Sequence, residues 1–247
     1  MNGKVHSIDT FSTLDGPGIR TVVFMQGCHL RCKYCHNPDT WNCTAATARD
    51  YSEEEIMKII LRSLPYIRTS GGGVTFSGGE PLLQAEFVRE VFQKCQDYKI
   101  HTAIDTSLYV ASKIVLDLLP LTNLFLADIK HINSEKSKNL TGAGNRLNIE
   151  NLKIINEHHV DIWVRYVIVP GLTDAEEDLL AMADFIADLD SVVRVDLLPY
   201  HSLGSHKWKL LGLNYELNQI NPPNFRRMQE LKGLVEERSK KSVFIPT

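Results

Sequence analysis

The sequence has no apolar run near the ~20 residues that a membrane-spanning helix needs. Its opening stretch, MNGKVHSIDTFSTLDG, lacks the apolar core of a secretory signal. A cytoplasmic protein with no membrane partner is therefore expected. Charge of one sign is also lacking: the formal net charge is −3, which gives no footing for a nucleic-acid or other polyanionic partner. There is no internal repeat, no low-complexity tract and no evident linker, so a single domain over 1–247 is expected. Cysteine is scarce and odd in number, five in 247 residues, which argues against a disulfide framework. With 43% apolar and 23% charged residues, the composition is that of an ordinary globular chain with a real core.

What the sequence does have is concentrated. Cys28, Cys32 and Cys35 fall in CHLRCKYC, inside a loop at about 26–41, with His29 and His36 in the same window. Cys43 and Cys95 stand apart and are read as bystanders, Cys95 in the helical stretch EFVREVFQKCQDY. Thiolates favour zinc, copper(I) or iron–sulfur clusters. One reading is a structural zinc completed by His29 or His36. Zinc modules, however, usually draw two pairs of ligands from separated segments, and here every candidate lies close together. The other reading is a [4Fe–4S] cube. Most cubes take four cysteines, so three would leave one iron open to a small molecule.

Short β-branched runs alternate with helical patterns along the rest of the chain. Strands are expected at 19–27, 73–79, 101–107, 123–130, 161–171 and 192–200, with a short terminal strand in KSVFIPT. Helices are expected at 52–64, 84–98, 110–120, 147–159, 174–189 and about 223–238. Ser52 and Glu55 form a capping box on the first of them. Six βα alternations imply an α/β fold with parallel strands, either a barrel or an open doubly wound sheet. In such folds the carboxyl ends of the strands share one rim, where ligands bind. That rim would gather the cysteine loop, Glu80, Asp105 and Thr106, Asp128 and Lys130, Arg165, and Tyr200 with His201.

CHLRCKYC resembles the signature of the radical S-adenosylmethionine superfamily, and SGGEPLLQ (77–84) resembles its GGE motif. The resemblance implies a partial, open (β/α)6 barrel. It also implies a [4Fe–4S] cluster on Cys28, Cys32 and Cys35 whose open iron binds S-adenosylmethionine. Contacts to that cofactor are implied for Tyr34, Cys35, His36, Gly79, Glu80, Asp128, Ile129, Lys130, Arg165 and His201. A monovalent cation is implied at Asp105, Thr106 and Asp128, with a backbone carbonyl from Leu126. No acid–base pair is needed, and none is assigned.

Further stretches narrow the resemblance to the glycyl-radical-enzyme activases: DGPGIR (15–20), YCHNPDTW (34–41), HTAIDTS (101–107), WVRYVIVPGLTD (163–174) and LLPYHSLGSHKW (197–208). Longer activases carry a ferredoxin-like insert with eight more cysteines before GGE. Only Cys43 lies in that interval here, so the insert is absent. The short form implies pyruvate formate-lyase as partner, flavodoxin or ferredoxin as electron donor, and a monomer. Asp15 is implied in contact with the polypeptide substrate. His206, Lys207 and Trp208, read as a loop after the sixth strand, are candidates for docking the partner.

Overall fold

Strand Arg20–Met25 reads RTVVFM and is buried along nearly its whole length, as a strand covered on both faces must be. It anchors the first of two compact units. In the computed structural model, which describes residues 1–45 and 48–246, that unit comprises Met1–His29 and Thr40–Ala127. Its strands are β1 (Asn2–Ser12), β2 (Arg20–Met25), β3 (Arg49–Ser52), β4 (Gly73–Gly78), β5 (His101–Thr106) and β6 (Leu124–Asp128), whose last residue opens the second unit. They lie in the order β3-β1-β2-β4-β5-β6. From β2 to β6 each pair is parallel, whereas β1 runs antiparallel to both β2 and β3.

Helices fill the crossovers. α1 (Glu53–Arg62) starts at the expected capping box: Ser52 Oγ accepts from Glu55 N–H, and Glu55 Oε2 accepts from Ser52 N–H at 2.8 Å. α2 (Leu64–Ser70) follows, then α3 (Ala85–Asp97) and α4 (Ser112–Leu118). The apolar face of α3, with Phe87, Val88, Val91, Phe92 and Cys95, is buried. Phe92 and Phe87 meet Phe76 of β4 edge-on, at 5.5 and 6.2 Å between ring centroids.

The second unit comprises Leu30–Asp39 and the chain from Asp128 onward. It holds α5 (Ser134–Thr141), α6 (Arg146–Glu157), β7 (Asp161–Ile168), α7 (Glu176–Ala187), β8 (Val192–Pro199), α8 (Ser205–Leu210), α9 (Phe225–Ser239) and β9 (Val243–Phe244). β7, β8 and β9 pair in parallel. Thr247, the last residue of the expected terminal strand, lies outside the described residues.

All six expected core strands and six expected helices are present, shifted by a few residues at their ends. The structure adds β1, β3, α2, α5 and α8. One expectation is corrected: His206, Lys207 and Trp208 are not in a loop but in α8. Trp208 is buried on the inner side of this helix, Lys207 is tied to Asn37 and Asp39, and Lys209 is exposed.

Candidate functional site

The first unit presents Cys28 at the end of β2. Gly27, with φ +104°, turns the chain out of the strand, and its N–H is taken by the Thr40 carbonyl at 2.7 Å. Cys28 N–H donates to Trp41 O at 3.3 Å. The GGE motif packs against this same segment. A Cβ on Gly79 would lie 2.2 Å from Gly27 O and 3.4 Å from Cys28 Cβ, so only glycine lets the two backbones meet. Glu80 N–H then donates to Gly27 O at 2.7 Å.

The Glu80 carboxylate is buried and fully engaged. Oε1 accepts from Thr106 Oγ1 at 2.6 Å and from Leu82 N–H at 3.1 Å. Oε2 accepts from Ser107 N–H at 2.9 Å and Ser107 Oγ at 2.5 Å. Burial pushes its pKa up, and these donors pull against that shift. Glu80 thus ties the GGE turn to the end of β5. Beside it, Asp105 Oδ2 accepts from Ser77 Oγ at 2.8 Å.

DGPGIR is organised by a residue that the sequence reading passed over. Arg20 is fully buried; its Nε donates to Thr75 Oγ1 at 2.6 Å and Nη2 to Val74 O at 2.7 Å. Nη1 donates to Pro17 O at 3.1 Å, and Nη2 faces His101 Nδ1 at 3.3 Å. Thr75 Oγ1 passes the network on by donating to Asp15 O at 2.6 Å, while Ser12 Oγ donates to Asp15 Oδ2. Burial lowers the Arg20 pKa to about 10, and burial plus the neighbouring Arg20 lowers His101 to about 4.

The second unit holds the other two cysteines. Arg31 N–H and Lys33 N–H donate to Thr141 O and Leu140 O at the end of α5, at 2.7 and 2.9 Å. Cys35 N–H closes a turn on Cys32 O at 3.0 Å. Trp208 Nε1 donates to Cys35 O at 2.8 Å, and Lys207 Nζ reaches Asn37 Oδ1 at 2.8 Å and Asp39 Oδ2 at 3.0 Å. α8 is therefore a clamp on the cysteine loop. Gly204, just before it, is needed for the same approach: a Cβ there would lie 2.6 Å from His36 Cα. Burial pushes the Cys32 thiol up to about 12, only partly offset by Lys130.

The predicted cofactor-binding residues of this unit lie around that loop. The His36 and His201 rings stack at 4.0 Å, and His36 Nε2 donates to His201 O at 3.0 Å. Burial, then the nearby His201, lowers the His36 pKa. Lys130 Nζ pairs with Asp128 Oδ2 at 2.7 Å and stands 5.8 Å from the Tyr34 ring centroid. Burial is the largest single influence and opposes the Lys130 charge, but Asp128, Tyr34 and Cys32 together outweigh it and the pKa is raised. Ile129 is buried and contributes through its backbone, donating to Arg165 O at 3.0 Å. Two buried polar atoms, Tyr34 Oη and His201 Nδ1, have no hydrogen-bond partner among the described residues. Such atoms mark places where a ligand would supply the missing bond.

Among the described residues, no three His, Cys, Asp or Glu side chains converge on a point that one metal ion could fill. Soft thiolates with no competing carboxylate in their own turn suit an iron–sulfur cluster.

The family model described as the Radical SAM superfamily matches residues 22–184. The chain is 46% identical to the pyruvate formate-lyase-activating enzyme of Clostridium pasteurianum, over 95% of its own length and 98% of that relative. The chain belongs to the radical SAM superfamily, among its pyruvate formate-lyase-activating enzymes. It is also 40% identical to the pyruvate formate-lyase 1-activating enzyme of Escherichia coli K12, over 98% of both chains. In fold, it matches Streptococcus suis SuiB bound to precursor peptide SuiA with a TM-score of 0.68, at 17% identity, over 98% of this chain and 50% of that one. The fold is the α/β class with an open, parallel sheet that the sequence implied. Membership in the radical SAM superfamily also decides between the two readings of the thiols. That family implies a [4Fe–4S] cluster and S-adenosylmethionine, and the structural zinc falls away.

Proposed function

We propose that this chain installs a glycyl radical on pyruvate formate-lyase. The observation that carries the reading is the match over 95% of the chain and 98% of a pyruvate formate-lyase-activating relative. Cys28, Cys32 and Cys35 would hold the [4Fe–4S] cluster. When bound, the cluster and S-adenosylmethionine would supply the one-electron radical chemistry needed to remove a hydrogen atom from a glycine of the partner.

The residues of this chain bind, orient and exclude water. Lys130 and Arg165 offer positive charge to a carboxylate. Tyr34 Oη and His201 Nδ1, buried without partners, are the polar atoms poised for a ligand. His36 stacks on His201 and so fixes that ring. Gly79 and Glu80 act by holding the Cys28 turn rather than by offering unsatisfied donors. Asp128 and Ile129 set the strand end from which Lys130 projects. The loop at Asp15, fixed on Arg20 and Thr75, would receive the polypeptide. A monovalent cation on oxygens of Asp105, Thr106 and Asp128, a flavodoxin or ferredoxin donor, a monomeric state and a cytoplasmic location complete the reading. Among the described residues, no helix is long and apolar enough to cross a membrane.

The test is anaerobic reconstitution followed by incubation with S-adenosylmethionine, reductant and pyruvate formate-lyase. About four irons per chain and a glycyl radical by electron paramagnetic resonance are expected. Serine at Cys28, Cys32 or Cys35 should abolish cofactor cleavage, whereas serine at Cys43 or Cys95 should leave it. Loss of activity on Cys43→Ser alone would overturn the ligand assignment.

A further inference from the structure

We propose that the outer face of α8 and the turn after it form the docking surface for an acidic, low-potential one-electron donor protein. This rests on the reading above, in which one electron must enter at the cysteine loop. It leaves the donor, which is oxidised, and enters the cluster, which is reduced, with no bond made or broken.

The first observation is apolar exposure. Leu203 and Leu210 are 76% and 82% exposed, with Leu211 and Leu213 also open to solvent. The turn is tight: Leu211 N–H donates to Lys207 O at 3.0 Å and Leu213 N–H to Trp208 O at 2.9 Å. The four leucines therefore stand on one short, ordered stretch. Several exposed apolar side chains gathered on one short stretch favour an interaction site.

Charge gives the second observation. The cysteine loop, the last turn of α5 and the α8 stretch carry Arg31, Lys33, Lys138, Lys207 and Lys209 against Asp39 and Glu216. This basic rim stands on a chain whose formal net charge is −3. It favours an acidic partner and disfavours a second copy, which would bring the same rim against itself. Position supplies the third. The inner side of α8 is in hydrogen-bond contact with Cys35 of the cysteine loop, Trp208 Nε1 donating to Cys35 O at 2.8 Å. A helix with its side chains is about 10 Å across, so a donor on the outer face is one helix away from that loop.

The experiment uses the anaerobic holoenzyme and its Lys209→Glu, Leu210→Ser and Leu203→Ser variants. Bleaching of the visible band is followed with two reductants, flavodoxin hydroquinone and dithionite, across a salt series, and flavodoxin affinity is measured by calorimetry. The variants should be reduced by flavodoxin about tenfold more slowly at low salt and bind it correspondingly less tightly. Lys209→Glu should also flatten the salt dependence. Dithionite rates should not change. A wild-type flavodoxin rate in all three variants overturns the proposal. So does an equal slowing with dithionite, which would mean that the cluster itself is disturbed. Raised KM for the pyruvate formate-lyase polypeptide with unchanged flavodoxin reduction would assign the face to the substrate instead. Failure of the underlying function looks different: dithionite-reduced wild type would cleave no S-adenosylmethionine.

Discussion

Replacing Gly79 by alanine tests how the GGE turn serves the cysteine loop. The added Cβ would stand 2.2 Å from Gly27 O. Ordinary carbon–oxygen contacts lie at about 3.3 Å or more, so one backbone must retreat by about 1 Å. Neither has a flexible side chain to yield; both are main chain. Overpacking of this kind costs about 1–3 kcal/mol, and weakening the Glu80 N–H bond to Gly27 O adds about 1 kcal/mol. A total of about 3 kcal/mol corresponds to a Tm lower by roughly 6–12 °C for a chain of this size. Cys28 follows Gly27 directly, so the retreat also moves a proposed cluster ligand. Gly79→Ala should therefore lose iron on reconstitution as well as stability. Gly233→Ala, in α9 with nothing within 4 Å of the new methyl, is the control. It should gain up to about 1 kcal/mol from helix propensity. Differential scanning calorimetry with iron analysis decides. A Gly79→Ala protein with wild-type Tm and full iron would refute the packing explanation.

Trp208→Phe keeps an aromatic ring but removes the donor to Cys35 O, a loss of about 1 kcal/mol; the cluster should be lost to a chelator several-fold faster, and equal rates would count against the clamp. His101 has a folded pKa of about 4 against an ordinary 6.5. Its neutral form is the one that the fold favours, so the contribution is full above pH 6.5 and lost as pH falls toward 4. Allowing for partial exposure, about 2 kcal/mol is at stake, and urea titrations of His101→Gln at pH 7.5 and 5 should show less acid loss than wild type. Ser52→Ala removes the α1 cap and should cost about 1 kcal/mol without changing cofactor cleavage; a kinetic defect would contradict that separation.

The residues that were legible before folding are those whose signal is local. Three cysteines in CxxxCxxC, two glycines before Glu80, and Ser52 three residues ahead of Glu55 are each visible in a short window. β1 was not legible because NGKVHSIDTFS is buried only at Gly3 and Val5, and its strand character comes from pairing with β2 on one side and β3 on the other. α5 is polar along its length; its readable marks were the Asn133 cap and Gly142 in the left-handed conformation at its end. Arg20 looked like part of a turn motif. Its partners Thr75, Val74 and His101 come from β4 and β5, and no local pattern announces them. The four donors that satisfy the Glu80 carboxylate are likewise set by the tertiary fold.

Val5 of β1 is paired with Met25 on one side and with Arg49 on the other. These are the residues just before and just after the segment 26–48 that carries all three candidate iron ligands. The segment is thus cinched at its neck by ordinary sheet hydrogen bonds before any iron arrives. Bringing such ends together from a random coil costs about 3 kcal/mol in chain entropy, and here folding of the polypeptide meets that cost. Maturation of the metal centre can then proceed by delivery into a closed noose, and the metal-free protein should keep its sheet when iron is stripped away.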